Sequence, residues 1–134
     1  MKKLSFIMIL LLGLAVASSW ADSPGMKADE SYKKVSDLVA LPEFIQGMGT
    51  LYVQPDTLPV GPFLAYDRDK KLVSTIYMVP LDEMNQEAAF TDLPVGGKKV
   101  KQVDFTFNIG HPGVSEPHYH VTLWHVEPEM AKLN

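Results

Sequence analysis

The chain has 134 residues, no cysteine and a formal net charge of −4. After removal of a leader there is room for one domain, and with no disulfide available it must be held by packing, or by packing plus a metal. The acidic balance argues against a nucleic-acid partner, because phosphate binding starts from a basic surface.

Residues 1–21 read as a secretory signal peptide. Lys2-Lys3 open it, an apolar stretch runs from Leu4 to Val16, and Ser19-Trp20-Ala21 offers a small-x-small cleavage site. The expected product is a bacterial periplasmic or secreted protein beginning near Asp22. The apolar stretch is shorter than the ~18 residues a membrane helix needs, and no cysteine is present to carry a lipid, so no stable membrane anchor is expected after cleavage.

Residues 22–46 read as a flexible leader with Pro24-Gly25, followed by an N-terminal helix capped by Asp29 or Ser31. Tyr32, Val35, Leu38 and Val39 fall at helical spacing, and Pro42 stops the helix. An α+β domain is expected over residues 47–134. Gly47-Met48-Gly49 interrupts the chain before a strand from Thr50 to Val53, which ends at Gln54-Pro55-Asp56. Phe63 to Tyr66 and Lys71 to Val79 are expected to form a hairpin about Asp67-Arg68-Asp69-Lys70. Pro80 suits the first turn of a second helix running to about Phe90. Leu81, Met84 and Ala88 would form its apolar stripe, and Asp82-Glu83 would complement its dipole.

Lys101 to Ile109 carries the cleanest period-two pattern. Val103, Phe105, Phe107 and Ile109 are expected to face the core, and Gln102, Asp104, Thr106 and Asn108 to face water. Gly110 to Pro117 reads as a loop and His118 to Val126 as the last strand. The predicted fold is α+β, an antiparallel sheet of about five strands with two short helices.

All four histidines lie between His111 and His125. On an extended strand His118 and His120 share a face with Thr122 and Trp124, and His125 falls on the other. His118 and His120 would stand roughly 6.6 Å apart at Cα, close enough for both imidazoles to reach one ion at about 2.0–2.1 Å. His111, on the preceding loop, is the natural third ligand if that loop folds back. Glu116 has the parity to add an oxygen, although Pro117 makes its direction uncertain. The alternative is that such a pair simply sits on a solvated strand, or that a buried histidine satisfies a hydrogen bond.

Other chemistries are less supported. Ser115 precedes His118 by three residues, but no Gly-x-Ser-x-Gly elbow surrounds it. Trp124 and His125 occupy the positions where a cupin would carry glutamate. Asp67-Arg68-Asp69 fits a hairpin turn and Asp82-Glu83 a helix start. Met48, Met78 and Met84 suit Cu(I) if they meet the histidines and otherwise fill a core. Trp124 fits either an apolar pocket or a subunit contact.

The runs Gly47-Met48-Gly49-x-x-Tyr52, Pro62-Phe63-Leu64-Ala65-Tyr66, Tyr77-Met78-Val79-Pro80, Gly110-His111-Pro112-Gly113 and Pro117-His118-Tyr119 resemble a domain-of-unknown-function family of small exported bacterial proteins. Its prototype is linked to an envelope-stress (extracytoplasmic) sigma factor. The resemblance covers Gly47 to Trp124 and implies an α+β domain with an antiparallel sheet, export and a homo-oligomer; it brings no established activity. Members often carry a histidine where this chain has Leu51, and an aspartate and a histidine where it has His120 and Thr122. A metal site, if the family has one, is therefore lost or rebuilt in part here.

The sequence thus favours an exported domain binding zinc or copper through His118, His120 and His111, with Glu116 as a further candidate. No clear general base is present, so binding is preferred to catalysis, and no small-molecule ligand can be named. The alternative is an envelope-stress-related oligomeric interaction protein with no metal and no catalysis.

Overall fold

The structure, a computed structural model, describes residues 28–96 and 99–134. The expected signal peptide, residues 1–21, and the leader residues 22–27 lie outside the described residues. Six strands, β1 (Lys33–Lys34), β2 (Thr50–Val53), β3 (Phe63–Tyr66), β4 (Leu72–Pro80), β5 (Gln102–Asn108) and β6 (His118–Trp124), form one sheet. Their order is β1-β2-β3-β4-β6-β5, and every neighbouring pair is antiparallel.

Among the described residues the only helical turns are 3-10, at Val35–Asp37, Pro55–Thr57, Leu81–Glu83 and Pro128–Met130. The fold is therefore dominated by its sheet, and the two expected helices are replaced for physical reasons. In the first, Lys33 and Lys34 pair with Val53 and Tyr52 at the sheet edge. Tyr32 and Val35 are both buried, but in separate clusters on opposite sides of the sheet rather than along one helical stripe, and only Val35 lies in the single 3-10 turn. In the second, residues 81–89 are all exposed, so nothing packs against the Leu81, Met84 and Ala88 stripe. Helices shorter than ~12–15 residues rely on such packing to persist.

The hairpin forms where its turn chemistry placed it. Asp67 Oδ1 accepts the backbone N–H of Asp69 and of Lys71, and Lys70 adopts the left-handed conformation with φ 59°. β4 is buried along its whole length. On one side of the sheet Leu51, Val53, Phe63, Ile76, Met78 and Trp124 form the main core, closed by Val35, Val114 and Leu133 from outside the strands. On the other, Tyr32, Leu64 and Leu72 form a smaller cluster. There the Tyr77 hydroxyl donates to the Pro94 carbonyl, and burial pushes that phenol up to about 12.

β5 has the expected alternation with its faces exchanged. Val103, Phe105, Phe107 and Ile109 point outward, with Phe105 70% and Ile109 76% exposed. The register explains the exchange. Asp104, Thr106 and Asn108 stand directly opposite Thr122, His120 and His118, and directly opposed residues share a face. That face is the covered one, because it carries the buried Trp124 and His118. Asp104 meets the core at its margin, where its Oδ2 accepts the Trp124 indole N–H at 2.8 Å. His118 and His120 lie on this covered face with Trp124.

Candidate metal centre

The loop between β5 and β6 is shaped by its glycines and proline. His111 and Val114 exchange backbone hydrogen bonds of 2.9 and 3.0 Å around Pro112-Gly113. Proline at the first corner and Gly113 at φ +93° at the second are the chemistry of a type II turn. At Gly110, φ is +138° and an added Cβ would lie 2.4 Å from the Ser115 carbonyl oxygen, so the close return of the chain requires glycine. Asn108 Oδ1 accepts the Gly110 N–H at 2.8 Å, and Val114 is buried in the main core, which pins the loop tip. The loop therefore folds back and carries His111 to the inner end of β6.

His111, His118 and His120 converge there. Nε2 of His118 lies 3.2 Å from Nε2 of His111 and 3.0 Å from Nε2 of His120. One potential donor atom from each ring lies within 4.8 Å of the others, a spacing that can hold a metal ion. A tetrahedral ion bound at about 2.0–2.1 Å separates its donors by roughly 3.3–3.4 Å, so these rings are close to coordination distance as they stand.

The outer nitrogens fix the tautomers. His118 Nδ1 lies 2.7 Å from the Glu116 carbonyl oxygen, and His111 Nδ1 lies 3.0 Å from the Pro112 carbonyl oxygen. A carbonyl only accepts, so in the neutral rings each Nδ1 carries the proton and each Nε2 presents a bare lone pair. Two lone pairs facing each other at 3.2 Å repel unless a cation stands between them. His118 is fully buried, and burial holds His120 down to about 4, with the neighbouring rings of His118 and His111 adding to the effect. His120 is thus a neutral ligand at pH 7.

Glu116, expected to offer an oxygen, serves otherwise. Its carboxylate is exposed and accepts from the Ser115 hydroxyl at 3.0 Å, and its backbone carbonyl is what orients His118. Glu116 lies at a bend before β6 and is not among the residues whose ligand atoms converge. His125 stands apart from the three: its Nε2 is 2.8 Å from Thr75 Oγ1, which also accepts the Gly96 N–H, and its Nδ1 is 3.3 Å from the Lys99 carbonyl oxygen.

A partly enclosed cavity of about 200 Å³ lies against His111 and His120. Its other walls are apolar, including Leu51, Phe63, Ile76 and Met78, except for Asn108. Asn108 was missed from the sequence as a site residue. Two signals pointed to it: the strand register places it opposite His118, and Gly110 two residues later marks an Asx-type turn. Leu51, which departs from the pattern of the family the sequence resembles, lines this same cavity. Met48 and Met78 also line it, whereas Met84 is exposed and takes no part.

The chain is similar to the crystal structure of a hypothetical protein from Thermus thermophilus, with 47% sequence identity over 65% of this chain and 85% of that one, and a TM-score of 0.58. The chain belongs to the family of that Thermus protein. No protein-family model matches the chain, and no curated protein does. The Thermus protein is described as hypothetical, so membership of its family carries no activity with it, and the chemistry of the histidine cluster is the functional information available.

Proposed function

We propose that this chain is an exported domain that binds one divalent transition ion, zinc or copper, through His111, His118 and His120. The observation that carries the reading is the pair of backbone-anchored rings, His111 and His118, whose Nε2 lone pairs face each other at 3.2 Å. A carbonyl accepting from Nδ1 is a usual means of orienting a metal-bound imidazole. Neutral imidazoles without thiolate suit zinc or copper, and three protein ligands leave a fourth position open. Among the described residues no acidic side chain joins the three histidines in the cluster, so binding is favoured over hydrolysis. Metal analysis of protein purified without a polyhistidine tag tests the reading. One ion per chain is expected, and a His118→Ala/His120→Ala variant with as little metal as an equally metal-poor parent would end it.

A second reading is supported by the outward face of β5. Val103, Phe105, Phe107 and Ile109 expose a continuous apolar stripe on a strand at the edge of the sheet, and Phe107 is backed edge-on by Tyr119 at 5.8 Å between ring centroids. An apolar edge strand is a template for pairing with another chain. On this reading the protein assembles with copies of itself through β5, with or without the metal.

A further inference from the structure

Resting on the metal centre proposed above, we infer that its open position binds a small monocarboxylate with a compact apolar body about the size of benzoate. Three features of the cavity specify that ligand. The first is charge. Three neutral imidazoles leave both positive charges of a divalent ion uncompensated, and apart from His111 and His120 no acidic or basic side chain lines the cavity. Glu116 is turned outward to Ser115 and Asp104 is engaged by Trp124. An anionic head is therefore what the ion lacks.

The second is the lone polar side chain beside the histidines. Asn108 Oδ1 is taken by the Gly110 N–H, which can only donate, so the Asn108 amide faces its other contacts with NH₂. A carboxylate fits this arrangement with one oxygen on the metal and the other accepting from Asn108. An amine has no lone pair left for that donor once it is bound to the metal.

The third is volume and lining. An apolar cavity of about 150 Å³ admits benzene, so one of about 200 Å³ takes a ring or a branched chain of similar bulk plus a three-atom head. Phe63, Ile76, Met78, Leu51 and Ile45 would surround that body, and none offers a polar group to a hydroxylated or sugar-like ligand.

The test uses the tag-free protein loaded with Co(II), whose visible bands report on the ligands of the ion, titrated with benzoate and separately with acetate. Benzoate is expected to change the spectrum at a concentration at least tenfold lower than acetate. Leu51→Phe, which fills the cavity, should keep the Co(II) bands and lose the advantage of benzoate. Asn108→Asp, which keeps an oxygen to accept the Gly110 N–H but replaces the NH₂ donor, should still take up Co(II) and weaken benzoate by roughly tenfold, as expected for loss of a hydrogen bond to a charged group. Retained Co(II) bands with equal half-saturation by the two acids, or with no response to either, overturn the ligand and leave the metal centre standing. A protein that takes up no Co(II) overturns the centre and the ligand together.

Discussion

His118 stands directly opposite Asn108 across the β5–β6 pair, and from that one register position the two residues serve different parts of the same site. His118 points a bare nitrogen at its neighbours, while Asn108 holds the start of the loop that returns His111.

Loss of any one of the three rings should abolish tight binding, because two imidazoles seldom hold zinc against water. His118→Ala is expected to lower bound metal from one ion per chain to near none, while His125→Ala, on the opposite side of the sheet, leaves it unchanged. Inductively coupled plasma mass spectrometry of dialysed protein makes the comparison. Loss of metal from the His125 variant as well would place the ion elsewhere.

Metal should also stabilise the fold. At a free ion concentration a hundredfold above the dissociation constant, the gain is about 2.7 kcal/mol, or roughly 10 °C for a domain of this size. Differential scanning calorimetry with zinc and with chelator measures it. Coincident transitions would contradict the centre.

In the chelated protein, stability should depend on pH through His120. Its folded value is about 4, below the ~6.5 of an unfolded histidine. Between those values the unfolded chain binds the extra proton, so stability is complete above about pH 6.5 and falls as the pH drops toward 4. The full effect is at most about 3 kcal/mol, less where solvent screens the ring. Urea midpoints across pH 4 to 7.5 should show this slope in the parent and a flatter one in His120→Gln; parallel slopes would rule it out.

The loop can be tested through Gly110. Alanine there would place its Cβ against the Ser115 carbonyl, in a backbone region that L residues avoid. A cost of about 1–3 kcal/mol is expected, with metal affinity weakened because His111 is displaced. Calorimetric titration with zinc separates the two effects. Unchanged affinity would mean that His111 is not needed.

For the second reading, Phe105→Glu is expected to dissociate an assembly while leaving the folded chain intact, since the ring is mostly exposed. Light scattering at matched concentrations gives the mass. A monomeric parent, or an assembly indifferent to the change, would dismiss β5 as the contact.

Strand positions were legible in the sequence because β-branched runs and turn residues coincide: Asp67 to Lys70 closes the hairpin, and Pro112-Gly113 closes the loop behind His111. The His118-x-His120 pair was legible from alternation alone. Alternation could not say which side of β5 and β6 is covered, since that depends on Val35, Val114 and Leu133 arriving from distant parts of the chain. The two helices failed for a related reason. Their apolar spacing was real, but edge pairing claimed Lys33 and Lys34, and no surface met Leu81 and Met84.

The outward-facing aromatic side of β5 has its back to Asn108 and the imidazoles, with only one layer of backbone between them. A surface docked on Phe105, as proposed, would bear on the same β5–β6 ladder that carries His118 and leads into the His111 loop. Any preference of a docked surface for the loaded form must be returned as an equal preference of the ion for the docked form. If the proposed assembly and the proposed metal uptake are coupled in this way, the salt, pH or chelator that moves one should move the other.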